Sequence, residues 1–512
     1  MIWQNGQLVA QGSQFEGLDE VEVVVATVDL EDVRSMRANF ISRSFQAAST
    51  LPIPRIRVEI QLCPDEQTEM VVSVPIQPAI VSPMEEIAYG PSGWLWDYLR
   101  RSGQRGYFLP LSGGADSSST ATLVAIMCQR VFSQLQDCDS GAVGNKLATT
   151  ERCRAQLLAD VRKLTRLPDY TPSSWQELCG KLFVTCYMAS EYSGDETRAR
   201  AALLAEQIGS VHTSIAIDDI TSAIQSTFAG VNVHSGRPEG AAPVRSNPQM
   251  EGGTATENLA LQNIQARSRM VMAYFMAQLM PWATDPADTP LGGGLLVLGS
   301  ANVDEALRGY YTKYDCSAAD INPIGGINKR DLKSFLQWAA ENKGIGVLSR
   351  VAAAQPSAEL TGAEGAQLDE TDMGMSYSEL ADLGHCRKVE HCGPLTTFLK
   401  LRQRWNDGRR ITPSIRCWKD GRLVTAQEQE SDWSHDEKVA QKVKDFFFCK
   451  DWRGIVMHRT AYALFLQRDD QLTCLLVLCC SVLMPYWMDG CRDGRPRQRH
   501  EPPQDDDADT IL

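Results

Sequence analysis

The chain has 512 residues, 43% of them hydrophobic, enough for two or three domains at roughly 150 residues each and too apolar for a disordered polymer. A net charge of −14 and a pI near 5.1 argue against a nucleic-acid surface, because neutralising phosphates needs Lys and Arg in excess on one face. Fifteen cysteines hold no Cys-x-x-Cys pair, so neither a thiol redox site nor a structural zinc is expected; with no apolar signal in residues 1–10, a reducing cytosol is the expected location.

Residues 1–33 carry short alternating runs, Gln7 to Ala10 and Val21 to Val28, which predict strands. Residues 50–92 hold Pro52, Pro54, Pro64, Pro75, Pro78, Pro83 and Pro91 and read as a linker or extended crossover. From Trp94 the pattern alternates. Tyr107 to Leu111 predicts a strand, Ser117 to Leu135 a helix, Leu182 to Tyr187 and Val211 to Ile217 two further strands with a helix from Asp195 to Ile208 between them. A long helix from Thr256 to Met280 precedes a fourth strand, Gly294 to Leu298. Strands alternating with helices of this length need crossover connections, so the expected fold class is α/β, a mostly parallel sheet with helices on both faces. Residues 408–435 read as an insertion and Asp436 to Phe448 as a last helix. The apolar run Leu472 to Met488 is shorter than the ~20 residues of a membrane helix and contains Pro485, so no membrane span is expected.

Ser112-Gly113-Gly114-Ala115-Asp116-Ser117-Ser118 follows the first of these strands and opens a helix predicted to start near Ser117. Two successive glycines let the backbone turn sharply and approach a ligand, so that several N–H groups face one oxyanion at the positive end of a helix. The Lys of the Gly-x-x-x-x-Gly-Lys motif is missing, which points away from a kinase-like grip. The alternative is an ordinary Gly-rich turn in which Asp116 caps the helix.

The loop resembles the Ser-Gly-Gly-x-Asp-Ser signature of the ATP pyrophosphatase family, whose members cleave ATP between the α and β phosphates and share an adenine-nucleotide hydrolase-like fold. Six further segments resemble NAD synthetases of the glutamine-dependent, eukaryotic type: Glu257 to Met270, Leu296 to Glu305, Gly309 to Asp315, Ala319 to Ile324 with Lys329, Pro356 to Leu360, and Asp369 to Gly374. The likeness covers about 300 residues in order, and on it rest the following assignments. Asp116 and Glu305 would ligate Mg²⁺, and with Ser112 they would be catalytic. Ser112, Gly113, Gly114, Ser117 and Ser118 would hold the pyrophosphate; Ser300, Lys329 and Ser357 would contact ATP, and Leu111, Ala115 and Asp116 complete the ATP-binding set. Arg267, rather than Arg269 two positions on, would join Lys313 and Asp320 in positioning deamido-NAD. The implied reaction converts deamido-NAD, ATP and ammonia to NAD, AMP and pyrophosphate in two steps, in a homo-oligomer.

The same resemblance divides the chain into 1–48, like the end of a nitrilase-like glutaminase domain and a short β remnant; 49–92, a linker; 93–400, the synthetase domain; 401–448, an insertion and last helix; and 449–512, a divergent tail. Family glutaminases use Glu, Lys and Cys, and Cys63 has no activating base nearby in the sequence, so it is given no catalytic role. Free ammonia is therefore the expected nitrogen source, with glutamine serving only if a full-length partner supplies the glutaminase. Two other readings stand beside this one: a different acceptor, as in GMP, asparagine or tRNA-modifying relatives, and a truncated, catalytically impaired subunit that regulates full-length synthetase.

Overall fold

The computed structural model of the protein describes residues 1–15, 18, 22–51, 54, 56–59, 71–140, 150–230, 252–284, 293–355, 369–406, 411–413, 417–419 and 422–448. The elements begin with β1 (Ile2–Gln4), β2 (Gln7–Ala10), α1 (Leu30–Ala38), α2 (Ile41–Ser49), α3 (Pro83–Ser102), β3 (Tyr107–Pro110) and α4 (Ala115–Ser140). Next come α5 (Thr150–Thr165), α6 (Trp175–Leu182), β4 (Phe183–Ala189), α7 (Asp195–Ile208), β5 (Val211–Ala216), α8 (Asp218–Ala229), α9 (Ala255–Thr284) and β6 (Leu296–Val297). The chain continues with α10 (Val303–Arg308), α11 (Lys329–Asn342), α12 (Val347–Ala353), α13 (Asp369–Met373), α14 (Tyr377–Lys388) and α15 (Pro394–Arg404). It ends in β7 (Cys417–Lys419), β8 (Arg422–Val424), α16 (Ala426–Ser431) and α17 (His435–Phe448).

β3, β4, β5 and β6 form one parallel sheet in the order β5-β4-β3-β6. Strand side chains alternate between its faces, and two separate apolar clusters follow from that period of two. Tyr107, Leu109, Phe183 and Tyr187 pack with α3, α4, α6, α7 and α11, whereas Phe108, Val184, Cys186, Met188 and Val297 pack against Met270, Ala273 and Ala277 of α9. Helices thus cover both faces, as the alternating pattern predicts. The strand order reverses at β3, with β4 on one side and the much later β6 on the other. In open α/β sheets the crevice outside the carboxyl ends of strands at such a reversal is where ligands bind.

At the N-terminus, β1 and β2 pair antiparallel through Asn5 and Gly6, both at positive φ (52° and 82°), the conformation an Asn-Gly hairpin turn requires. The expected strand at Gln7 to Ala10 is present. The one expected at Val21 to Val28 is not: residues 22–28 have no regular structure, and Val23 and Val25 are 74% and 76% exposed. An apolar run becomes a strand only when a neighbour completes its ladder, and no described strand lies beside this one. The Pro-rich stretch also differs from expectation. Pro83 is the first residue of α3, Ser82 and Glu85 form a capping box ahead of it, and Pro91 sits inside the helix. α3 persists because Ala88, Ser92, Leu95, Trp96 and Leu99 fall on one face and are buried, with the helix packed against α4 and α11.

The segment expected to be an insertion, 408–435, contains the antiparallel pair β7–β8 and α16. Cys63, Pro356 to Leu360 with Ser357, and the apolar run Leu472 to Met488 lie outside the described residues. Among the described residues no helix is long and apolar enough to cross a membrane. Residues Met1–Phe446 cluster into one unit, and the last described residues, Phe447 and Phe448, fall to a second.

Candidate active site

β3 delivers the loop Leu111–Gly114 to the carboxyl edge of the sheet, where Leu111 N–H donates to the Cys186 carbonyl of β4 at 2.8 Å. Gly113 has φ +76°, and a Cβ there would lie 2.1 Å from the Thr197 carbonyl oxygen in the first turn of α7. No other residue fits without moving that turn. Arg200 of α7 braces the loop from the same side, its Nε donating to the Gly113 carbonyl at 3.2 Å. Ser112 and Ser117 close the loop, with Oγ atoms 2.9 Å apart, and the Gly114 N–H donates to Ser112 Oγ at 3.3 Å.

α4 starts at Ala115, two residues earlier than the sequence pattern suggests. Its first turn leaves N–H groups that no preceding turn can satisfy, and Ser118 Oγ is buried there without a hydrogen-bond partner. A cradle of N–H and hydroxyl donors at a helix start is chemistry for an anion.

Asp116, on that first turn, faces two other helix starts. Asn302 is the N-cap of α10: its Oδ1 accepts from the Glu305 N–H at 3.0 Å, and its Nδ2 donates to Asp116 Oδ1 at 3.1 Å and Glu305 Oε1 at 2.9 Å. Lys329 is the first residue of α11, behind the N-cap Asn328, and its Nζ pairs with Asp116 Oδ2 and lies 3.9 Å from Glu305 Oε1. The Lys329 ammonium also lies 5.1 Å from the centroid of the Tyr377 ring, at the start of α14. Tyr377 in turn donates to Asp369 Oδ2 at 3.1 Å and reaches Glu305 Oε1 at 3.5 Å, while Tyr310 donates to Asp369 Oδ1 at 3.4 Å.

The electrostatics follow from this crowding. Burial, then the charge of Asp116, holds Glu305 well above the usual carboxylate range. Burial works against the charge on Lys329, but Asp116, Glu305 and Asp369 outweigh it and leave the ammonium more basic than an ordinary lysine. Asp304, 1% exposed, is pushed up to about 6, first by burial and then by Asp116 and Asp331, against the Lys329 N–H that its Oδ2 accepts at 2.9 Å.

Asp116 and Glu305 present two hard oxygen donors to one place. That set suits a Mg²⁺ that takes its remaining ligands from phosphates and water; among the described residues no three His, Cys, Asp or Glu side chains make an all-protein cage.

The structure therefore brings together Ser112, Gly113, Gly114, Asp116, Ser117, Ser118, Glu305 and Lys329. Ser300 lies on the loop after β6, between Gly299, whose carbonyl accepts from Thr120, and Asn302. Arg267, Lys313 and Asp320 are all exposed. Arg267 Nε donates to the Lys313 carbonyl at 2.9 Å, whereas Asp320 accepts from the Val297 N–H at 2.8 Å and the Tyr274 hydroxyl at 3.1 Å. Of the two arginines on α9, Arg269 is the one that reaches the carboxyl end of β4, its Nε donating to the Met188 carbonyl at 3.1 Å.

Sequence reasoning missed Asn302, Arg200, Tyr377 and Asp369. Asn302 carries a signal, an N-cap three residues before Glu305. The others carry none, because their roles arise only where separate elements meet.

The NAD synthase family model matches residues 91–391. The chain is 47% identical over 424 residues to the glutamine-dependent NAD(+) synthetase of Bos taurus, covering 82% of this chain and 56% of that protein. Its counterpart in Drosophila melanogaster is 45% identical, with 87% and 50% covered. The chain thus spans about half the length of the curated relatives it matches. In coordinates, it overlays partially on a glutamine-dependent NAD(+) synthetase from Cytophaga hutchinsonii, with a TM-score of 0.47, 21% identity, and 72% and 48% covered. The family match spans the sheet, the Ser-Gly-Gly loop and the Asp116–Glu305–Lys329 cluster, and this chain belongs to the NAD synthase family.

Proposed function

We propose that the chain amidates deamido-NAD to NAD at this site, consuming ATP and ammonia and releasing AMP and pyrophosphate. The observation that carries the reading is the convergence of Asp116, Glu305 and Lys329 beside the Ser-Gly-Gly loop at the carboxyl edge of β3 and β6. In the first step the nicotinate carboxylate oxygen attacks the α-phosphorus, and the bond to the β-phosphate oxygen breaks. The loop donors from Ser112 to Ser118 receive the departing pyrophosphate, and Lys329 supplies the cation that the loop itself lacks. Aligning attacker and leaving group and neutralising phosphate charge is most of what such a reaction asks of a protein. Asp116 and Glu305 would hold a Mg²⁺ that screens the negative charge on the phosphates.

In the second step the ammonia lone pair attacks the acyl carbon, AMP leaves with the C–O bond electrons, and one proton is lost. Arg267, Lys313 and Asp320 would position the dinucleotide, and Ser300 and Ser357 would contact ATP. The synthetase module would be residues 93–400, in a homo-oligomer of the cytosol.

The test is NAD formation by the purified chain with ATP, Mg²⁺ and deamido-NAD, with ammonium or glutamine as the nitrogen source. Product with ammonium, none with glutamine alone, and no pyrophosphate release by Asp116→Ala are the expected results. ATP binding without NAD or pyrophosphate in either arm would refute the proposal and favour a regulatory subunit.

A further inference from the structure

We propose that Lys329 is a resident counter-ion whose ammonium occupies the place between Asp116 and Glu305 that a divalent cation must enter, so that metal binding depends on nucleotide. The inference rests on the proposed function, since it takes these two carboxylates as the metal ligands.

The geometry carries it. The Lys329 side chain is only 5% exposed, pairs with Asp116 Oδ2 and lies 3.9 Å from Glu305 Oε1. Asn302 Nδ2 binds one oxygen of each carboxylate and fixes the width of the gap that the ammonium fills. An ammonium and a dication repel at contact distance, and in a poorly solvated gap that repulsion is strong. The metal therefore enters only if the lysine head leaves.

The ammonium's surroundings favour a cation on the side away from the two carboxylates as well, and the four-carbon stem is flexible. The Tyr377 ring lies 5.1 Å from Nζ, and Asp369, oriented by the Tyr310 and Tyr377 hydroxyls, already contributes to the field at Lys329. An incoming triphosphate adds a destination, because its oxygens would meet the loop at the start of α4. Nucleotide thus draws the ammonium off the carboxylates and brings ligands for the metal at the same time.

Mn²⁺ serves as the probe, with free ion counted by electron paramagnetic resonance in the absence of nucleotide. Lys329→Met is expected to bind Mn²⁺ at least tenfold more tightly than the wild-type chain, and adding Asp116→Asn to that variant to abolish the gain. Lys329→Arg, which keeps the charge, is expected to bind no more tightly than wild type. Thermal melts report folding, and the Mn²⁺-induced rise in Tm, larger for Lys329→Met than for wild type, is an independent readout. If Lys329→Met does not fold, Lys329→Gln takes its place. Equal or weaker Mn²⁺ binding by the neutral variant overturns the proposal. The underlying metal assignment is tested apart from it: if Asp116→Asn alone leaves Mn²⁺–ATP binding unchanged, that assignment fails; if Asp116→Asn weakens it and the neutral Lys329 variant still gains nothing, the counter-ion role alone fails.

Discussion

Gly113→Ala is the substitution whose cost can be worked most directly from the geometry. The new Cβ would stand 2.1 Å from the Thr197 carbonyl oxygen, 3.0 Å from its carbon and 3.2 Å from the Ala201 nitrogen, all backbone atoms of α7. None is the end of a flexible side chain, so either the loop or the first turn of α7 must shift. α7 is not free to yield. Thr197 is hydrogen-bonded to Tyr187 at 3.0 Å, and Ala201 and Leu204 are fully buried.

A left-handed φ costs a non-glycine residue about 1–2 kcal/mol, and overpacking of this kind about 1–3 kcal/mol more, giving about 2–5 kcal/mol in all. Gly344→Ala isolates the first part: its φ is +71° and nothing lies within 4 Å of its Cβ, so only the conformational cost of about 1–2 kcal/mol is expected. Thermal melts of the two variants, with ATP affinity by calorimetry, separate the terms. Gly113→Ala is expected to melt well below Gly344→Ala and to lose at least about tenfold in ATP affinity, or about 1.4 kcal/mol, as the loop is displaced. Equal melting losses with ATP affinity unchanged would refute the argument that α7 moulds the loop.

Arg267→Ala is expected to raise KM for deamido-NAD several-fold while leaving KM for ATP nearly unchanged; equal changes in both would remove Arg267 from the dinucleotide side. Asp304→Asn tests the buried carboxyl. With its folded pKa raised from 3.8 to about 6, the folded state holds the proton more tightly, so the group's contribution is fully present below pH 3.8 and is lost as pH rises through 6. Without Mg²⁺, wild-type stability should therefore fall by about 1 kcal/mol from this group between pH 5 and 7, and Asp304→Asn should lack that component; parallel pH profiles would exclude it.

The sheet and its crossovers were legible because β3 and β4 are short, largely apolar runs, and α7 keeps an uninterrupted helical pattern from Asp195 to Ile208 between Gly194 and Gly209. The turn at Ser112 to Gly114 was legible because its glycines have a local cause. α3 was misread because prolines at a helix start and in its interior look the same, in sequence, as prolines in a linker; Ser82 and Glu85 held the correction. Val21 to Val28 misled for the opposite reason, since apolar alternation says nothing about whether a neighbouring strand exists. Tyr377 and Asp369 stand at the starts of α14 and α13, and their place beside Lys329 depends on how those helices dock, which no local pattern encodes.

β6 contributes only Leu296 and Val297 to the sheet, with one further bridge between Leu298 and Ile321, and the chain beyond it carries Asn302 and Glu305. On the other side of the crevice, β3 is wedged between two strands and leads into the 26-residue helix α4. One jaw of the site is thus clamped deep in the layered core while the other hangs from the shortest ladder in the sheet. The half of the site that carries Asn302 and Glu305 rests on the fewest ladder bonds, so local opening of the sheet is expected to begin at β6 rather than at β3, an order that amide hydrogen exchange would read.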